Sequence, residues 1–116
     1  MTPRFLGSEA GMVTVESAIG LASILFVLFG SALALLAVGD HIRCVDAARE
    51  AARLAARGDL GHARSTAQRI GPRGAEISID EGADSVVATV TFKAPLLASV
   101  DLGAQAVAAI EPVAGP

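Results

Sequence analysis

The sequence predicts an α+β protein in which a long N-terminal helix, apolar in its first half, precedes a short second helix and a small three-stranded antiparallel sheet. Three observations lead there. Residues 17–39, SAIGLASILFVLFGSALALLAVG, hold no ionisable side chain, and about twenty such residues cross a bilayer as a helix. The next stretch, DHIRCVDAAREAARLAARGD, has no Pro or Gly before Gly58 and is rich in Ala and Arg, both strong helix formers. Beyond Gly71-Pro72 the pattern changes to a period of two, the repeat of a strand with one apolar face.

Nothing between the apolar run and the Ala/Arg stretch breaks a helix, so one helix is expected from about Thr14 to Arg57. At 1.5 Å per residue it would extend roughly 65 Å, half in lipid and half beyond it. On a helical wheel Arg43, Asp46, Arg49, Glu50, Arg53 and Arg57 fall in one arc, with Cys44, Ala47, Ala48, Ala51 and Ala55 opposite. Arg43 with Asp46, Asp46 with Arg49 and Glu50 with Arg53 have the i,i+3 spacing of helix ion pairs. Gly58 suits a C-terminal cap. A shorter helix from about Leu60 to Ile70 ends at Gly71-Pro72.

In the last third, Ile77 and Ile79 alternate with Ser78 and Asp80, EGAD supplies a turn, and Val86, Ala88, Val90 and Phe92 alternate with Val87, Thr89, Thr91 and Lys93. Pro95 ends this hairpin, and Ala104–Ile110 is a third strand. Three small strands need a cover, which the alanine face of the long helix can supply. The organisation is then 1–11 as a polar leader, 12–39 as the membrane half of the helix, 40–73 as a helical region outside it, and 74–116 as the sheet.

Composition limits what such a chain can do. In residues 40–116 the only aromatic side chain is Phe92, and alanine makes up much of the apolar content, so this part buries little area per residue and relies on neighbours. Net charge is −3, unevenly spread. From Asp40 to Arg73 seven arginines outnumber four acids, a net of +3, and from Gly74 onward Lys93 faces six acids, a net of −5. Such a chain can attract its own other half or a neighbour's. Nucleic acid is not expected as a partner, because the arginines are interleaved with acids and lack an aromatic platform.

The lone Cys44 excludes an internal disulfide; its place on the alanine face is that of a small packed hydrophobe, with thiol chemistry as the alternative. Asp40, His41 and Cys44 lie close in sequence but have no matching ligands elsewhere, so no metal is expected. No phosphate-binding loop or nucleophile elbow is present, and neither an enzyme nor a small-molecule or cofactor site is predicted.

One charge stands out. In GMVTVE, Glu16 opens the apolar run, where an unpaired carboxylate is costly. A secretory signal peptide is disfavoured, because the run continues past the small-x-small site Ala32-Leu33-Ala34. By the positive-inside rule alone, the arginines after the run would place the C-terminal part in the cytoplasm.

A polar leader ending in Gly11, then Met12, then Glu16 at the fifth position past the glycine, directly before a full span, resembles a type IV prepilin class III signal. With RCVDAAREAARLAARGD, the small sheet and the ending AVAAIEP, the chain from Gly11 to Glu111 resembles the TadE-like minor pilins, or pseudopilins, of tight-adherence (Flp-type) pilus systems. The resemblance implies cleavage between Gly11 and Met12 by a prepilin peptidase, and a register-setting role for Glu16 toward the new N-terminal amine of a neighbouring subunit. It also implies partners among pilin subunits, the pilus assembly platform and membrane lipid, and a single-pass topology with a cytoplasmic N-terminus and an extracytoplasmic C-terminal region. Ser17 after Glu16, where the main Flp subunits usually carry tyrosine, favours a minor component. The alternative is a single-pass membrane binding or scaffolding protein whose leader stays uncut.

Overall fold

The computed structural model describes residues 4–94 and 100–110. The element order is α1 (Arg4–Ala56), α2 (Leu60–Ile70), β1 (Glu76–Glu81), β2 (Ser85–Lys93) and β3 (Asp101–Ala109), an α+β plan. The chain divides into two compact units, Met1–Leu35 and Leu36–Pro116. Helix α1 begins at Arg4, ten positions before the expected Thr14. No proline follows Pro3 in the leader, and Gly7 and Gly11, each costing a helix about 1 kcal/mol, do not stop one continuous with a strongly apolar run. Pro95 and Glu111 lie outside the described residues.

In the C-terminal unit, α1 ends in a Schellman motif: the N–H of Gly58 bonds to the carbonyl of Ala55 at 2.9 Å and that of Asp59 to the carbonyl of Leu54 at 3.2 Å. Gly58 adopts φ +89°, a left-handed conformation costly for any residue with a Cβ. Asp59 then caps α2, its carboxylate accepting from the His62 N–H at 3.1 Å. One turn thus closes one helix and opens the next.

The sheet is antiparallel, with β2 in the centre. Ile77 faces Val90 and Ile79 faces Ala88 across β1 and β2, while Val90 faces Ala104 and Ala88 faces Ala106 across β2 and β3. One sheet face is therefore apolar throughout. Strand β3 begins three residues ahead of the expected Ala104, since Gly103 does not interrupt a strand whose Leu102 pairs with Phe92.

Ala88, Val90 and Phe92 of β2 point into a core completed by Cys44, Ala47, Ala48, Ala51 and Ala52 of α1 and Ala67 of α2. A second, smaller cluster joins Ala55, Ala63 and Val86. Alanine on both helices lets their backbones approach the sheet closely; the largest fully buried side chains are only Val86, Val90 and Cys44. The opposite face of α1 carries the exposed Arg43, Asp46, Arg49 and Arg53, with the exposed Arg57 just past its end. Of the three i,i+3 pairs expected there, only Glu50 with Arg53 closes among the described residues, through two bonds, one from Nε to Oε2 at 3.0 Å. This hydrogen bond holds the Glu50 carboxyl below the usual carboxylate range.

Candidate functional site

Residues 4–35 of the first unit are helix, and from Met12 onward their surface is almost wholly apolar. From Met12 to Phe29 every large hydrophobic side chain is exposed, Phe26 at 79%. Three hydroxyls of this helix bond back to it: Thr14 to the carbonyl of Ala10 at 2.8 Å, Ser23 to that of Ile19 at 2.8 Å and Ser31 to that of Val27 at 2.7 Å. Each hydroxyl thus presents little unmet polarity to an apolar surrounding. This helix is long and apolar enough to cross a membrane.

Glu16 is the exception. It is the only ionisable residue between Glu9 and Asp40, its side chain is exposed, and no hydrogen bond or ion pair reaches it among the described residues. Gly11, Met12, Val15, Glu16 and Ile19 line one shallow notch on the helix, as the i, i+4 and i+8 spacing requires. Met12 is 71% exposed, and a Cβ added at Gly11 would meet nothing within 4 Å. The glycine is therefore not held there by packing in the folded chain. The Gly11–Met12 peptide bond lies inside α1, so any enzyme that cuts it must first unwind about a turn of helix. A glycine lowers that barrier.

Cys44 lies in the C-terminal unit, fully buried among Ala47, Ala48 and the β2 side chains. Burial first, and Asp40 second, push its thiol pKa up, which suppresses the reactive thiolate. His41, three residues earlier, is exposed, so the two do not converge, and among the described residues no group of three or more ligating side chains forms.

The same unit has a concavity of about 490 Å³ that the sequence did not reveal, lined by Arg73, Gly74, Glu76, Thr91, Phe92, Lys93 and Asp101. Strand register assembles it: Glu76 faces Thr91 and Lys93 faces Asp101. Its two cations and two carboxylates balance one another, an arrangement suited to closing a sheet end by cross-strand charge pairing. The sequence signal was only the alternation of charge at strand ends, visible once the register is known.

Fold and site together define a small α+β unit that follows an N-terminal helix of membrane-spanning length and polarity, with one carboxylate, Glu16, isolated in the apolar stretch of that helix. The chain belongs to the same family as a Mycobacterium tuberculosis protein named apoptosis inhibitor Rv3655c, to which it is 43% identical over 98 residues, covering 84% of this chain and 78% of that protein. No family model matches the chain. No solved structure matches it either.

Proposed function

We propose that the chain is a minor pilin, or pseudopilin, of the TadE-like kind: a membrane precursor cut after Gly11 by a prepilin peptidase and contributing to assembly of a tight-adherence type IV pilus or related secretion apparatus. The observation that carries this reading is the isolation of Glu16. A carboxylate on an apolar helix surface costs on the order of 2.5–3.5 kcal/mol when deep in lipid, and this one has no partner among the described residues of its own chain. A cut at Gly11–Met12 would create an ammonium one helical turn away, and the amine of a neighbouring copy would compensate the charge while setting axial register. On this reading the N-terminus is cytoplasmic and the C-terminal unit extracytoplasmic.

The test is mass spectrometry of the mature N-terminus in cells that possess the peptidase, with Met12 expected as the first residue. An intact leader would overturn the reading. Glu16→Ala should still be cut but should enter assemblies at least tenfold less well; normal incorporation would remove the register role.

A second reading draws on the relative, whose name states that it inhibits apoptosis. There the C-terminal unit is a binding module on a single-pass anchor, Glu16 is incidental and the leader stays on. The N-terminal mass separates the two readings.

A further inference from the structure

In the C-terminal unit the helices cover one face of the sheet, and Ser78, Thr91, Gly103, Gln105 and Val107 lie exposed on the other. The two outer surfaces carry opposite charge. The segment from Asp40 to Arg73 is net +3, and all seven of its arginines are exposed. From Gly74 to Ile110 five acids oppose Lys93 alone, and all five are exposed. Strand alternation puts Glu76, Asp80 and Asp101 on the bare face, since Ile77, Ile79 and Leu102 pack inward. The helix arginines and the sheet acids thus point away from each other within one copy. The ion pairs that form, Glu50 with Arg53 and Asp59 with His62, stay within the helical layer, and none joins a helix to a strand among the described residues. The two surfaces also match along their length. Residues 44–52 of α1 share a cluster with Ala88, Val90 and Phe92, and Ala55 shares one with Val86, so α1 runs against β2 and with β1 and β3. Arg53 and Arg57 are therefore level with the sheet end that carries Asp80, Glu81 and Asp84, and Arg43 with the end that carries Glu76, Lys93 and Asp101.

We propose that the arginine face of α1 in one copy docks on the bare sheet face of a second copy, the two related by sideways displacement through the layers. A helix about 10 Å across on a sheet layer of about 10 Å sets a repeat of about 20 Å. Without any shift along α1, Arg53 and Arg57 then come level with Asp80 and Glu81 of the second copy, Arg43 with its Glu76 and Asp101, and Asp46 lies near the level of its Lys93. Between those ends the second copy offers Ser78, Thr89, Gly103 and Gln105, short uncharged side chains over which a helix can lie. Sideways displacement keeps residue 40 of both copies on the same side, as anchoring in one membrane through α1 requires. A two-fold pair with that property sets helical face against helical face or sheet face against sheet face, bringing like charges together. The contact is thus heterologous and continues from copy to copy as a row. Exposed ion pairs each contribute little, so free chains stack weakly; copies held in one membrane meet at far higher effective concentration. This last step rests on α1 lying in a membrane and not on cleavage of the leader, which the N-terminal mass tests separately.

The experiment uses the full chain in phosphatidylcholine vesicles with a short bis-maleimide cross-linker. Arg49 and Gln105 lie at one level on the two outer surfaces, too far apart within a copy to be bridged; Cys44 is buried and does not compete. A chain carrying both Arg49→Cys and Gln105→Cys should give a ladder of dimers, trimers and larger products. Either cysteine alone should cross-link at least tenfold less, because like positions in a row are about 20 Å apart. Salt well above physiological strength should shrink the ladder. Adding Asp80→Lys or Arg57→Glu should each lower it at least fivefold, and the two together should restore it. In chains without the added cysteines, neither charge reversal should change the labelling of Cys44, the sign that the unit stays folded. Cross-linking by either single cysteine equal to that of the pair, a ladder indifferent to salt and to both reversals, or a double reversal that does not restore it would overturn the proposal.

Discussion

Replacing Val86 by alanine tests whether the alanine-rich core behaves as one cooperative body. Val86 is fully buried in the small cluster with Ala55 and Ala63, while Cys44 sits in the larger cluster. Val86→Ala removes two methyl groups, about 1.6 kcal/mol of transfer free energy at ~0.8 kcal/mol per carbon. Where the neighbours do not close in, the cavity adds up to about 1 kcal/mol. The expected loss is thus about 2–2.5 kcal/mol, a large part of the stability of a unit this small. Cys44 supplies the assay: a neutral alkylating reagent reaches its thiol only when the unit opens. With opening fast relative to labelling, the rate should rise about 30–70-fold, at 1.36 kcal/mol per tenfold. Val107→Ala, on a side chain 66% exposed, should leave the rate within about twofold. An unchanged rate in Val86→Ala would refute the reasoning, because the two clusters would then open independently.

The same readout serves the helix junction. Gly58→Ala forces a Cβ into a φ of +89° and should cost about 1–2 kcal/mol, raising the labelling rate roughly 5–30-fold; Gly58→Asn, better tolerated in that conformation, should cost less. Asp59→Ala removes the carboxylate that accepts from His62 and should cost about 1 kcal/mol. Asp59→Ser and Asp59→Asn should recover most of it, which a loss of surface charge alone would not explain.

Much of this architecture is legible before the chain is folded, and the reasons are local. Helix α2 matches its expected bounds because Gly58-Asp59 and Gly71-Pro72 bracket it with a left-handed cap, an N-cap and a helix stop. The apolar face of β2 is legible because Val86, Ala88, Val90 and Phe92 repeat strictly at two. The isolation of Glu16 along the chain needs only the sequence.

Other features depend on geometry that no local pattern carries. The start of α1 is one: polar residues beside Gly11 look like a break, yet the helix runs through them from Arg4. Pairing on the arginine face is another, since i,i+3 spacing permits three ion pairs and rotamer choice closes one among the described residues. Which strands form the sheet edges emerges only when β2 is found in the middle. The charged concavity around Arg73 and Lys93 likewise waits on register.

The junction at Gly58-Asp59 also bears on how such a chain can change over generations. Asp59 is both the residue whose N–H completes the end of α1 and the residue whose carboxylate starts α2, so no spare segment lies between the helices. A single inserted residue there would deprive one helix of its terminus, whereas the turn at Gly82–Asp84 binds the described residues through Gly82 to Ser85 and Ile110 to Asp84. Length variation among family members should therefore gather at the hairpin turn and avoid the helix junction, leaving α2 at a constant number of residues from the apolar half of α1.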